Sequence, residues 1–361
     1  MTAVAIRCSG ITVEDGRVAG HDAGSTLVRR LQRLYPGAAL IGSRAQRADG
    51  FVVVPLELVE PERTVVINMD VVDSPSVWRT LASGGAEPRL MNFVWWNTSQ
   101  FTHPVDRASL ALSCALMPTF ANSQRTATEI REIVGALTVP QVGAGLRLDW
   151  SNLGIRLAHV QGREDPAVPV VLYPAIRLSD RKKPQLFLDV VEKVRRRTPI
   201  TVEMRLEESH LISAQAIRMS RRDWVWVGPL TATREDYYYR LARTTAFLAT
   251  AHEESYGLEY VEAMVAGVVG VFPDREWSRA LLPDRYPLLY RDASQAEEML
   301  MSAVTDTARC RSELNAVAGG DFVGWLRDHH DDTLFEARFA GAVSRWFPDD
   351  APGAKTRHMR A

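Results

Sequence analysis

The sequence predicts an α/β protein made of two Rossmann-like domains in tandem. Three observations carry that expectation. Short β-rich runs alternate with amphipathic helical runs in both halves, the pattern of parallel sheets covered by helices on both faces. The alternation loosens over 136–169, where Pro140, Gly143, Gly145, Gly162, Pro166 and Pro169 punctuate the chain. A length of 361 residues is long for one domain and comfortable for two. The expected boundaries are a first domain over 1–150, a linker over 151–169 and a second domain over 170–332. A C-terminal helix over about 333–347 is expected to pack back on the first domain.

In the first half "AVAIRC" (3–8) reads as a strand. "STLVRRLQRLY" (25–35) reads as a helix with Leu27, Val28, Leu31 and Leu34 on one face. "AALIGS" (38–43), "TVVINMD" (64–70) and "RLMNFVWW" (89–96) continue the β-rich runs, followed by a helix around 106–114, "LMPTFANS" (116–123) and a helix from "QRTATEIREIVG" (124–135). The second series opens with the apolar strand "VVLYPAIRL" (170–178). The helix "PQLFLDVVEKVRRR" (184–197) follows, with Pro184 where proline suits a first turn. "ITVEMRL" (200–206), "WVWVG" (224–228), "AFLAT" (246–250) and "VVGVF" (268–272) extend it. The last residues, "APGAKTRHMRA", read as a frayed tail.

A hydrophobic fraction of 46%, a charged fraction of 24% and a net charge of −1 describe a globular protein with no global pull toward nucleic acid. Cys8, Cys114 and Cys310 lie far apart without metal-ligand or disulfide spacing, and read as buried thiols of a reducing compartment. No apolar run is long enough to span a bilayer. The expectation is a cytoplasmic protein with at most peripheral contact to the inner membrane surface.

Two segments of the second half carry chemistry. "HEESYGLEYVEAMVAG" (252–267) turns from a strand into a helix, and its free backbone N–H groups attract anions and hydroxyls. Glu254 is expected on the loop, Glu262 about a turn into the helix, and Gly257 where backbone approaches a ligand. Carboxylates accept paired hydrogen bonds from vicinal hydroxyls, as on a sugar. The same acidic residues could equally be helix-dipole partners worth roughly 0.3–1 kcal/mol each. The other segment is "AIRLSDRKKP" (175–184), in which Arg177 is expected at a strand's carboxyl end and Lys182 follows five residues later. Two cations above a parallel sheet can hold a diphosphate; the alternative is a solvated charge run, which suits Arg181 and Lys183 better than Arg177.

Together the two segments resemble the nucleotide-sugar-binding domain of retaining glycosyltransferases of the GT-B fold, glycosyltransferase family 4 in particular. The family pattern G-R-L-S-x-x-K-x-P appears as Ile176 to Pro184, and E-G-F-G-L-P-x-x-E-A-M-A-x-G-x-P as Glu254 to Val269. "TFANSQRTATEI" (119–130) and "VPQVGAGL" (139–146) are weaker echoes. The resemblance implies GT-B architecture, with an acceptor-binding first domain and a donor-binding second domain facing across a cleft. It implies an enzyme of hexosyltransferase type that moves a sugar from a UDP-, GDP- or ADP-sugar to a hydroxyl of a glycan, lipid-linked or small-molecule acceptor. Displacement would be on the same face, with no metal or other cofactor. Arg177 and Lys182 would hold the diphosphate and Glu262 the ribose. Glu254, with the backbone at Tyr256, Gly257 and Leu258, would hold the transferred sugar, and the base would rest near Val227, Gly228 and Pro229.

Departures from the pattern are Ile176, Ser255, Glu259, Val269, Thr250 and Ala251. Glu259 stands where proline is usual, and a third carboxylate there is expected to bear on which sugar is accepted. In the first half Gly24, in "HDAGSTLV", is expected in a loop touching the diphosphate. Asp70, Asp73, Trp96, Asn97 and His103 are acceptor-side candidates at the ends of strands. One of Trp95 and Trp96 is expected in the core, and His103 reads more readily as a surface residue than as a base. Other readings are a nucleotide-sugar epimerase, a phosphorylase-like enzyme or a non-catalytic scaffold of the same fold. A Rossmann dehydrogenase is disfavoured, because no G-x-G-x-x-G follows the first strand.

Overall fold

The computed structural model describes residues 3–20, 22–231 and 233–348; the segment read as a frayed tail lies outside them. The chain divides into two compact units, one made of residues 1–151 and 335–361 and the other of residues 152–334.

The first unit is an eight-stranded sheet. Its strands are β1 (Ala3–Arg7), β2 (Ala39–Ile41), β3 (Gln46–Arg47), β4 (Val52–Val54), β5 (Thr64–Asn68), β6 (Leu90–Val94), β7 (Thr119–Ala121) and β8 (Leu148–Trp150). They lie in the order β8-β7-β6-β5-β1-β2-β4-β3, parallel throughout except for the edge strand β3. The central strands are apolar on both faces because helices cover both, as a parallel sheet requires. Helix α1 (Ala23–Leu34) starts where the Asp22 carboxylate accepts the Ser25 N–H at 2.9 Å. It buries Leu27, Val28 and Leu31, with Leu34 partly covered. Helices α2 (Ser74–Leu81), α3 (Pro104–Leu116) and α4 (Gln124–Leu137) complete the covering, α3 and α4 packing on Val94 and Ala121.

Asn68 and Asn92 interrupt otherwise apolar strands. Arg7, Asn68, Asn92 and Thr119 stand side by side across β1, β5, β6 and β7, one on each strand. Asn92 donates to the Ser113 carbonyl (3.0 Å) and to Thr119 Oγ1 (3.1 Å), and accepts from Ser74 Oγ (2.6 Å). Ser74 Oγ in turn accepts from Asn68 Nδ2 at 2.8 Å. All of these side chains but Arg7 are fully buried, so the row is stable only because each polar atom finds a partner. The opposite face is aromatic: Phe93 and Phe120 meet Phe335 and Phe339 of the C-terminal helix (Asp332–Trp346), with ring centroids 4.8–5.8 Å apart.

The second unit holds a six-stranded parallel sheet of β9 (Val170–Tyr173), β10 (Thr201–Leu206), β11 (Val225–Pro229), β12 (Ala246–Leu248), β13 (Val269–Pro273) and β14 (Leu289–Tyr290). Their order is β11-β10-β9-β12-β13-β14. Counted from β9 this is the doubly wound order 3-2-1-4-5-6, whose direction reverses between β9 and β12. Helices α5 (Pro184–Arg197), α6 (Arg234–Leu241), α7 (Leu258–Val265), α8 (Ala293–Thr305) and α9 (Phe322–His330) belong to this unit.

The structure corrects three sequence readings. The strand expected over 170–178 ends at Tyr173, since Pro174 has no N–H for the ladder; Arg177 is therefore on a loop and not at the strand's end. Gly24 lies in the first turn of α1, not in a loop, because Asp22 caps the helix ahead of it. Strand β6 stops at Val94, so Trp95 and Trp96 follow the strand and do not alternate across it.

Replacing Asn92 with alanine leaves the buried Ser74 hydroxyl without its acceptor and takes one bond each from the Ser113 carbonyl and Thr119 Oγ1, which keep Met117 as a partner. The expected loss is about 2–4 kcal/mol of unfolding free energy, measured by urea denaturation, with the denaturant dependence unchanged.

Candidate active site

In a doubly wound sheet the loops beyond the carboxyl ends of the two strands at the reversal diverge and leave a crevice. In the second unit those loops follow β9 and β12, and they carry Arg177 and Lys182 on one side and Glu254 to Gly257 on the other. They are tied together through the backbone. The His252 N–H donates to the Arg181 carbonyl at 2.8 Å, and Thr250 Oγ1 donates to the Lys182 carbonyl at 2.7 Å. Lys183, at φ 44°, turns the chain into α5 directly after Lys182.

Lys182 Nζ donates to Glu254 Oε1 and, at 3.0 Å, to Glu259 Oε1. The Tyr260 hydroxyl donates to the same Glu254 oxygen at 2.8 Å. Burial works against the charged Lys182 ammonium, but the carboxylates of Glu259 and Glu254 outweigh it and hold the lysine above its ordinary range. Burial also raises the Glu254 carboxyl, against the pull of Lys182, and the charge of Glu259 adds to the rise. Gly257 precedes α7 at φ 89°, where a Cβ would sit 2.6 Å from the Tyr260 ring, so glycine is required.

Glu262 lies on α7, only 9% exposed, and accepts from Arg234 at the start of α6. Burial raises its carboxyl above the ordinary range despite that partner. The Arg234 guanidinium also lies 5.1 Å from the Tyr237 ring centroid and 5.3 Å from that of Tyr238. Arg177 Nε donates to Glu207 Oε2 at 2.8 Å on a largely exposed side chain. Leu258 opens α7. Gly228 and Pro229 end β11, and the Trp226 indole lies so close over Gly228 that a Cβ there would meet it at 2.2 Å. Arg205 stacks on that indole at 4.6 Å.

Tyr256 is anchored from outside the motif. Its hydroxyl lies 2.6 Å from His330 Nδ1, while His330 Nε2 faces the Leu281 carbonyl at 3.1 Å. Nε2 must carry the proton to bond a carbonyl, so Nδ1 accepts from the tyrosine. Burial pushes the imidazole down to about 4, with His329 adding to the shift and the bond to Leu281 opposing it. Arg234 and His330 were both missed by sequence reasoning. No local pattern marks either, because their partners stand 28 and 74 residues away.

In the first unit the direction of the sheet reverses between β1 and β5, and there Arg7 forms a fork with Asp73, Nη1 to Oδ1 at 2.9 Å and Nη2 to Oδ2 at 2.7 Å. Asp70 Oδ2 accepts from the Ser9 N–H (2.7 Å), Ser9 Oγ (2.8 Å) and Arg7 Nη1 (3.2 Å). Asp70 and Asp73 are thus brought together by an arginine that the sequence reading passed over, though it stands at a strand's carboxyl end, the place expected for Arg177. Trp96 packs on the core and on the Phe101 ring at 4.6 Å. Asn97 is buried, and exposed His103 caps α3 by accepting the Val105 N–H at 3.3 Å. The three cysteines are buried thiols. Among the described residues no group of three or more His, Cys, Asp or Glu side chains is placed to hold a metal ion, and no helix is long and apolar enough to cross a membrane.

No family model matches the chain. A segment of 45 residues, 12% of the chain, is 44% identical to "Putative glycosyltransferase ORF330" of Acidianus filamentous virus 2 (isolate Italy/Pozzuoli); it spans 14% of that protein. Solved structures are similar over nearly the whole chain. Trehalose-6-phosphate synthase OtsA matches with a TM-score of 0.68 at 10% identity, over 95% of this chain and 99% of that one. Sucrose-phosphate synthase of Thermosynechococcus elongatus matches with a TM-score of 0.70 at 11% identity, over 96% and 99%. The UDP-forming α,α-trehalose-phosphate synthase of Burkholderia vietnamiensis gives 0.67 at 10% identity, over 96% and 98%.

The His330 geometry sets a pH dependence. An imidazole depressed in the folded state contributes stability that is whole above about pH 6.5 and is lost as pH falls toward about 4. Its share of that loss is about 3 kcal/mol. In thermal melts from pH 7.5 to pH 4, His330→Phe is expected to be less stable than the parent at pH 7.5, with the gap narrowing as the pH falls.

At 10–11% identity these structural matches speak for architecture, and they show that the chain has the GT-B fold.

Proposed function

We propose that the protein is a retaining glycosyltransferase that moves a sugar from a nucleoside-diphosphate sugar to an acceptor hydroxyl by same-face displacement. The observation that carries this reading is the meeting of Lys182 and Glu254 at the reversal of the second sheet, where the ligand crevice of such a sheet lies. Lys182, with Arg177, supplies positive charge to the diphosphate and stabilises it as it leaves. In this reading that pair takes the electrostatic role a metal would otherwise fill. Glu262, oriented by Arg234, accepts from the ribose hydroxyls. Glu254 and the backbone from Tyr256 to Leu258 receive the transferred sugar, and the base lies beside Val227, Gly228 and Pro229. Leaving diphosphate oxygen takes the acceptor's proton on the face from which it departs, so the anomeric configuration is kept.

The comparisons support the reaction class. The similar structures include a trehalose-6-phosphate synthase, a sucrose-phosphate synthase and TarM, one of them studied in complex with UDP. The first unit would bind the acceptor, a glycan, a lipid-linked sugar or a small molecule. The buried thiols fit a cytoplasmic setting.

The test is thermal stabilisation by UDP, GDP and ADP and their sugars, with product analysis. At least one nucleoside diphosphate is expected to stabilise the protein, by about 2.7 kcal/mol at a hundredfold excess over Kd. Glu262→Ala is expected to abolish that shift. No shift with any of the three overturns the reading, and isomerisation of the sugar nucleotide without an acceptor would assign an epimerase instead.

A further inference from the structure

We infer that Glu259 competes with the donor diphosphate for Lys182 and thereby weakens the hold on the nucleoside diphosphate. The inference rests on the donor-site reading above. An ammonium has three donors, and two of those on Lys182 are directed to Glu254 and Glu259. Glu254 is the firmer partner: its side chain is 12% exposed and also accepts from the Tyr260 hydroxyl, whereas that of Glu259 is 32% exposed. Glu259 lies in the first turn of α7, near the positive end of the helix dipole.

A diphosphate drawn to Lys182 meets the Glu259 carboxylate 3.0 Å from the same nitrogen. Two like charges then share one cation, and the more exposed carboxylate must swing away or be repelled. Glu259 thus tunes affinity for the leaving group, and with it the release of the nucleoside diphosphate after transfer. From sequence, this position is expected to bear on which sugar is accepted; the contact that Glu259 makes is with Lys182, the cation that the proposed reading sets against the diphosphate.

Titration calorimetry with UDP, GDP and ADP, each taken singly, tests the inference on the full chain and on Glu259→Gln, Lys182→Gln and the double variant. Glu259→Gln is expected to tighten the nucleoside diphosphate that binds roughly tenfold. In the Lys182→Gln background the same change is expected to have less than a twofold effect, since the competition is for that ammonium. Glu259→Pro, which suits a first helical turn, removes the carboxylate differently and is expected to reproduce the tightening. Thermal melts without ligand identify any variant that fails to fold. If the parent binds a nucleoside diphosphate and folded Glu259→Gln and Glu259→Pro bind it no more tightly, the competition is refuted while the donor-site reading stands. Tightening that persists without Lys182 refutes it equally. If neither the parent nor either Glu259 variant binds any of the three, both are overturned.

Discussion

The arrangement of the second unit depends on one constraint: a lysine ammonium shared between two carboxylates at the point where a parallel sheet reverses direction. Lys182 arrives on the loop after β9, and Glu254 on the loop after β12; Glu259 lies in the helix that follows. The strands are neighbours only because the order 3-2-1-4-5-6 places the fourth element beside the first. Topology therefore turns residues 72 positions apart into hydrogen-bond partners. The backbone bonds from His252 to Arg181 and from Thr250 to Lys182 fix the loops so that the charged groups need little reorganisation to meet.

Each charged group at this site is balanced locally. Lys182 faces two glutamates, Glu262 faces Arg234, and Arg177 reaches Glu207. Buried carboxylates are costly unless paired, and burial raises both Glu254 and Glu262 in spite of their partners. In the proposed reading, a ligand's hydroxyls and phosphate oxygens would exchange one set of these partners for another. The same logic governs the first unit, where Arg7 gathers Asp70 and Asp73 at the corresponding reversal and a fully bonded polar row runs from it into the sheet.

Much of this was legible in the sequence because it is local. The helix over 184–197 was delimited correctly by its periodicity and Pro184, and Glu254 and Glu262 fall on the loop and helix expected of them. Errors arose where one residue decides a boundary: Pro174 ends β9 early, and Asp22 starts α1 ahead of Gly24. The short edge strands β3 and β8 were missed because two or three residues carry no period. Arg7, Arg234 and His330 were missed for another reason. Their roles are made by partners far along the chain; nothing near Arg234 or His330 in sequence announces it, and Arg7 is marked only as a lone charge in an apolar run.

The central claim is that the crevice between the loops after β9 and β12 holds a nucleoside diphosphate. The most direct measurement is a crystal structure with whichever of UDP, GDP or ADP stabilises the protein most. Density for the diphosphate within hydrogen-bond distance of Lys182 Nζ, with the ribose hydroxyls on the Glu262 carboxylate, is the result expected. A nucleotide bound away from both residues, or displaced to a different face of the unit, would contradict it.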